Sequence, residues 1–262
     1  MVGPCDLLAL SFLAGLVVAV VTTPIGVSGA VFLLPLQVSV LGVPSPAVTP
    51  TNLLFNIVAI PGALARYRSQ APLRSPLSAV LLIGTLPGVV LGACIRAFLV
   101  PGIQVFRLLI AGILVPLGIS LIHGRRHRHA HASAIPPTRR ATIALAFGVG
   151  VVGGIYGIGG GSLLSPILVH RGTPLPIVAP AALVCTFITS LVGASAYLIL
   201  AATTTGLPIA PDWSIGLVAG AGGLVGGYLG ARLSPRLPEA VLRIALGAIA
   251  TATGALYVLQ SL

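Results

Sequence analysis

Apolar residues follow one another in ten blocks marked off by proline, glycine and arginine, at roughly 7–22, 27–42, 48–65, 77–99, 105–122, 141–156, 162–169, 176–202, 214–231 and 241–260. Uninterrupted runs of this kind predict helices that lie in lipid or in a wholly apolar core, and several reach the roughly 20 residues a helix needs to cross a bilayer. The first two blocks, and 141–156 and 162–169, fall short of that length. Each short pair is joined by a helix-breaking stretch: Thr23-Pro24-Ile25-Gly26-Val27-Ser28-Gly29 in one case, Tyr156-Gly157-Ile158-Gly159-Gly160-Gly161-Ser162 in the other. Broken backbone at membrane depth is tolerated only inside protein or beside a watery cavity.

The two halves of the chain correspond. Gly26-Val27-Ser28-Gly29 and Pro35 align at one constant offset with Gly157-Ile158-Gly159-Gly160 and Pro166. Gly42-Val43-Pro44 then aligns with Gly172-Thr173-Pro174, and Pro50 with Pro180. Further on, Gly88 to Ala93 matches Gly226 to Ala231, and Arg107 matches Arg243. The pattern predicts an all-α polytopic membrane protein of two repeats, each an interrupted helical hairpin, re-entrant or broken, followed by three transmembrane helices. The boundaries are residues 6–123 for the first repeat, 124–140 for a connecting loop and 141–262 for the second, within one membrane domain over 1–262.

Composition agrees with this reading. Apolar residues make up 56% of the 262 and charged residues only 6%, against about 25% charged in soluble domains. The net charge of +11 comes from arginines placed between the apolar runs. That placement follows the positive-inside rule and lacks the continuous basic face with interleaved aromatics that nucleic acid requires. If the loop holding Arg125, Arg126, Arg128, Arg139 and Arg140 is cytoplasmic, then Arg66, Arg68, Arg74, Arg171, Arg232, Arg236 and Arg243 are cytoplasmic as well. Only Arg96 and Arg107 of the fourteen then fall on the other side. Both termini are extracytoplasmic under this assignment, and the repeats are inverted about an axis in the membrane plane. Met1 to Asp6 has no basic n-region, so a cleavable signal peptide is not expected. Cys5, Cys94 and Cys185 are widely spaced and read as small buried hydrophobes, with no disulfide framework or metal site.

The chemistry concentrates at the breaks. Gly157 to Ser162 has no Lys-Ser or Lys-Thr after it and no strand before it, which excludes a nucleotide loop. Two half-helix starts opened by glycine, pointing their N–H groups and positive dipole ends at an anion near the midplane, account for a break that recurs in both halves. The candidate substrate-binding residues are Gly26, Ser28, Gly29, Thr51, Asn52, Gly157, Gly159, Gly160, Gly161, Ser162 and Thr186. Backbone N–H groups serve as the main donors, and Ser28, Asn52 and Ser162 assist. Close packing of small residues is the structural alternative for the glycines, and helix capping for the hydroxyls. No carboxylate lies inside a span, since Asp6, Asp212 and Glu239 all sit at segment ends. A proton relay or sodium ligand is therefore missing, and neither metal nor cofactor is expected. The loop from His123 to Arg140 reads as a topology and lipid-contact element. Gly26 to Gly29 also resembles the nucleophile motif of rhomboid intramembrane proteases, but no histidine is placed to act as its base.

The ordered set of motifs resembles the TauE/SafE sulfite exporter family. It comprises a doubled Gly-rich break followed by proline (Gly26 to Pro35; Gly157 to Pro166), a Gly-x-Pro turn, an Ala-x-x-Pro-Thr/Ala stretch and Gly-x-x-x-Gly-Ala in the later span. The resemblance implies a non-enzymatic transporter exporting sulfite, sulfoacetate or related organosulfonates across the bacterial cytoplasmic membrane, with a small anion and the lipid bilayer as its partners. A channel or carrier for a metal ion or neutral metabolite is the alternative, and the oligomeric state is left open.

Overall fold

The first block forms a longer helix than its apolar run. In the computed structural model, which describes residues 4–69, 75–99, 103–123, 138–171, 173–204, 209–234 and 239–259, helix α1 covers Pro4–Thr22 and is followed by a single 3-10 turn, Thr23–Ile25. The apolar run stops at Leu7 because Asp6 interrupts it, but the helix does not. Its first turn has no need of the N–H that proline lacks, and it favours an acid against the helix dipole. The stretch Cys5–Ile25 is long and apolar enough to cross a membrane, which corrects the expectation that this block falls short.

The shorter arms hold to the expectation. Helix α2 (Ala30–Ser39) has 10 residues, α6 (Arg139–Tyr156) has 18 and α7 (Gly160–His170) has 11. At 1.5 Å per residue, α2 and α7 reach about half of a hydrocarbon core roughly 30 Å thick. The remaining helices are α3 (Ser45–Tyr67), α4 (Pro76–Phe98), α5 (Ile103–His123), α8 (Leu175–Thr203), α9 (Trp213–Leu233) and α10 (Glu239–Leu259). Among the described residues every regular element is helical, and α1, α3, α4, α8 and α9 are long and apolar enough to span a membrane. Arg125, Arg126 and Arg128, and with them most of the connecting loop, lie outside the described residues.

Glycine decides how the helices meet. A Cβ on Gly222 or Gly226 of α9 would fall on the carbonyls of Phe12 or Leu16 of α1, and one on Gly88 or Gly92 of α4 on those of Phe147 or Val151 of α6. Such stripes let helix backbones touch, which in lipid substitutes for the missing hydrophobic drive between helices. Their registers give chain direction. α1 runs parallel to α9, and α9 to α3, where Gly216 meets Leu54 and Gly227 meets Ala63. α4 runs parallel to α6. α5 and α10 are antiparallel, with Gly118 beside Gly247 and Val115 beside Gly254.

Polarity is arranged inside out. Leu13, Val17, Phe98 and Ile199 are each more than half exposed, while Thr49, Thr51, Asn52 and Asn56 on α3 and Thr186, Thr189 and Ser190 on α8 are fully buried. Large apolar side chains thus face lipid, and hydroxyl and amide groups turn inward, where only other protein groups can satisfy them.

Candidate functional site

Both hairpins turn on a glycine in the left-handed region. Gly26 (φ 70°) closes the 3-10 turn after α1 and donates its N–H to Thr23 O at 2.9 Å; Gly157 (φ 72°) closes α6 and donates to Gly153 O at 2.9 Å. Each tip packs on the opposite half. Gly26 lies against Ala179 of α8 and Ser165 of α7, whose hydroxyl donates to Ile25 O at 2.9 Å. Gly157 lies against the Thr49 carbonyl and Asn52 of α3. Alanine at either glycine meets both strain and overlap.

Two asparagines one turn apart on α3 join the tips. Asn56 accepts from the Ser28 hydroxyl and donates through Nδ2 to Gly157 O at 3.3 Å. Asn52 donates through Nδ2 to Ala30 O at 2.9 Å and to Tyr156 O at 3.5 Å. Because Nδ2 of Asn52 faces two carbonyls, a flipped amide would oppose like dipoles, and its orientation is fixed. Its Oδ1 is buried and has no hydrogen-bond partner among the described residues.

The starts of the short helices fall in this cluster. The Ala30 N–H of α2 donates to Ser28 Oγ at 3.1 Å, and the Gly160 N–H of α7 donates to Thr189 Oγ1 at 3.0 Å. Hydroxyls of the chain itself therefore hold donors at the positive ends of both half-helices. Gly159 (φ 70°) precedes α7, packed against Thr186 and Ser190, and Gly161 lies on the Ala182 carbonyl. Ser162 Oγ donates to Ile158 O at 2.7 Å and is 3.4 Å from Thr186 Oγ1. Gly29 packs against Val18 and Phe55 at the start of α2. Ser28, Gly29 and Thr23 also line a shallow recess with Ala63 and Gly227.

Most of the residues singled out in the sequence therefore converge on the two tips. Thr51 does not. Its hydroxyl donates to Ala47 O at 2.7 Å and accepts from the Asp212 N–H at 2.8 Å, which anchors the start of α9. Asn56 and Thr189 join the cluster although neither was among the candidates, since only their partners distant in the chain, Gly157 O and the Gly160 N–H, distinguish them from neighbouring polar positions. The Ser28 hydroxyl donates to an amide oxygen, which cannot serve as a base, so this bond does not activate Ser28 as a nucleophile.

Arg96 is the main departure. The sequence reading puts it near the extracytoplasmic end of the 77–99 run, yet it is 1% exposed. Its guanidinium sits 4.0 Å from the Phe106 ring centroid and donates to Ser45 O, to Ser45 Oγ at 2.8 Å and to Thr49 Oγ1 at 3.4 Å. Phe106 in turn stacks on Tyr156 at 5.5 Å. A cation–π contact of about 2 kcal/mol when desolvated, with charge-assisted hydrogen bonds of about 1.5–3 kcal/mol each, is of the size needed to offset burial of one arginine. The signal available in the sequence was a break in the repeat, because the offset pairing Gly92 with Gly230 pairs Arg96 with Ser234.

Paired helical hairpins with half-length arms, a buried polar centre and a lipid-facing apolar exterior define a polytopic membrane domain. Residues 11–257 match the family described as sulfite exporter TauE/SafE, and the chain belongs to that family, one of membrane transporters. It is also 40% identical over 68 residues to sulfite exporter TauE/SafE family protein 5 of Arabidopsis thaliana, a stretch covering 26% of this chain and 15% of that protein. No solved structure matches it.

Proposed function

We propose that the chain is an inverted-repeat transporter that exports small sulfur-containing anions, such as sulfite, sulfoacetate or related organosulfonates, across the bacterial cytoplasmic membrane. The anion binds near the midplane between the two hairpin tips. The observation that carries this reading is the tie made by Asn52 and Asn56, which brings the starts of α2 and α7 into one buried centre of hydroxyl, amide and N–H groups. Helix N-termini attract negative charge without carrying net charge, so such a centre binds an anion weakly enough to release it. Substrate displaces Ser28 and Thr189 from the N–H groups they occupy, and those hydroxyls then rotate to donate to it.

Helix registers support the inverted arrangement. α3 runs antiparallel to α8, with Leu53 beside Gly193 and Ile60 in one cluster with Leu183, while α8 runs parallel to α4, where Thr85 meets Cys185 and Val89 meets Gly193. Together with the parallel pairs α1/α9, α9/α3 and α4/α6, these registers place α1 and α6 in opposite directions. The arginine distribution then sets both termini outside the cytoplasm. Reporter fusions at Leu262 and within 125–140 test this assignment: activity of a periplasm-dependent reporter at Leu262 and of a cytoplasm-dependent one in the loop is expected, and the reverse pattern overturns it.

Transport itself is tested with purified protein in liposomes offered sulfite, sulfoacetate, taurine, sulfate and a labelled divalent cation. Sulfite or an organosulfonate is expected to move at least tenfold faster than through empty liposomes. Cation movement with no anion movement would instead favour a channel or carrier for another solute.

A further inference from the structure

Four consecutive carbonyls at the end of α6 are taken by side chains of other helices. Gly154 O accepts from the Tyr197 hydroxyl at 2.9 Å and Ile155 O from the Thr49 hydroxyl at 3.0 Å, while Tyr156 O and Gly157 O accept from Asn52 and Asn56. A helix end leaves such carbonyls without partners of its own. Arg96 backs this set. Its guanidinium donates to Thr49 Oγ1 at 3.4 Å and to Ser45 Oγ at 2.8 Å, and it lies over Phe106, which stacks on Tyr156. A cation so placed also meets the negative end of the α6 dipole.

The first tip repeats the tyrosine bond at matching positions. The offset pairing Gly26 with Gly157 pairs Thr23 with Gly154, and the offset pairing Pro50 with Pro180 pairs Tyr67 with Tyr197. Tyr67 donates to Thr23 O at 3.2 Å, as Tyr197 does to Gly154 O. Each break is thus clamped by a tyrosine of its own repeat. The clamps lie at opposite ends of α3, because Tyr67 is its last residue while Ser45, its first, holds Arg96. Their surroundings differ. Arg96 and Thr49 stand beside Tyr197, whereas Tyr67 has their repeat counterparts, Ser234 and Ala179. Neither counterpart offers the fork of donors that the guanidinium spreads over Ser45 and Thr49. The further bond on the first tip, from Ser165 Oγ to Ile25 O, comes from α7, an arm of the other hairpin, and so ties hairpin to hairpin.

We propose that the two clamps are gates on either side of the substrate centre, and that Arg96 is a positioning residue that keeps the Tyr197 clamp closed while the Tyr67 clamp opens. The proposal rests on the transporter reading above. Asn52 and Asn56 fall between the two clamps along α3. The arginine count puts the Tyr67 end of α3 on the cytoplasmic side, so the looser gate faces the compartment from which an exporter loads. Asn56 supplies the coupling. It joins the Ser28 hydroxyl to Gly157 O, so an anion that draws Ser28 away slackens a bond on the second tip and shifts the balance toward its opening.

Access from each side is read with a cysteine at Ser190, which packs against Gly159 and whose hydroxyl has no hydrogen-bond partner among the described residues. The background chain carries Ser190→Cys with Cys5→Ser, Cys94→Ala and Cys185→Ala, and a membrane-impermeant maleimide is applied to intact cells and to inverted vesicles. Labelling in inverted vesicles is expected to be about tenfold faster than in cells. Arg96→Met, and the repeat-guided Thr49→Ala that leaves Arg96 in place, are each expected to raise labelling in cells about tenfold and to leave inverted vesicles unchanged, with Arg96→Lys in between. Background chains that label equally from both sides, or faster in cells, overturn the asymmetry of the gates. Variants that melt near the background temperature and label in cells no faster than the background overturn the role of Arg96. An equal rise on both sides overturns it as well, in favour of a purely structural arginine. Failure of the wild-type chain to move any anion in liposomes, with labelling as expected, overturns the transporter reading and leaves the unequal clamps standing.

Discussion

Substituting alanine for Gly157 is expected to abolish recovery of folded protein, whereas Gly148→Ala, nine residues earlier in the same helix, leaves it unchanged or improved. At Gly157 the left-handed backbone penalises any L side chain by about 1–2 kcal/mol. The added Cβ would also fall on the Thr49 carbonyl, which belongs to the backbone of α3. Moving α3 away is no remedy, because Asn52 and Asn56 hold it to Tyr156 O and Gly157 O. At Gly148 nothing lies within 4 Å of the new methyl, and a helical glycine replaced by alanine gains up to about 1 kcal/mol. Thermal melts of the two variants in detergent, followed by size-exclusion chromatography, compare them directly. Equal melting of Gly157→Ala and wild type would show that the second tip does not depend on its contact with α3.

The second large effect is expected at Asn56. Asn56→Ala leaves the Ser28 hydroxyl and the Gly157 carbonyl without their shared partner, at about 1–3 kcal/mol for each unmet group. Asn56→Asp keeps the shape but sets a carboxylate oxygen against the Gly157 carbonyl and a negative charge beside the starts of two half-helices. Anion transport in liposomes is expected to fall at least tenfold in Asn56→Ala and below detection in Asn56→Asp. Asn56→Thr, which copies the residue at the corresponding position, Thr186, is expected to keep part of the activity. An Asn56→Asp protein that moves anions at the wild-type rate would remove the tie between the tips from the substrate path.

The elements were largely legible because each depends on local pattern. All ten apolar blocks became helices, and both breaks fell where glycine put them, since no other residue takes φ near 70° at so little cost. The hairpin arms were less legible. Apolar length alone undercounted α1, whose first turn accommodates Pro4 and Asp6, while α2 and α7 stayed short because Gly29 and Gly159 begin them late. Within the candidate site, glycine and a following hydroxyl marked the tips correctly. What lies across from them did not show.

The sequence by itself determined that this is a helical membrane protein with two matched halves, each interrupted at the same place, because hydropathy, helix breakers and repeat spacing are properties of the chain read in order. Only the tertiary structure decided which polar groups meet. Asn52 and Asn56 bridge the tips while Thr51, one residue before Asn52, turns to Asp212, since residues four apart share a helix face and the one next to Asn52 points elsewhere. Arg96 is buried because Ser45 and Thr49, distant in the chain, and Phe106 of the next helix close around its guanidinium. Gln37 is buried on α2 with no hydrogen-bond partner among the described residues. Such partnerships depend on helix register and direction across the bundle, which are set by where glycine backbones can touch.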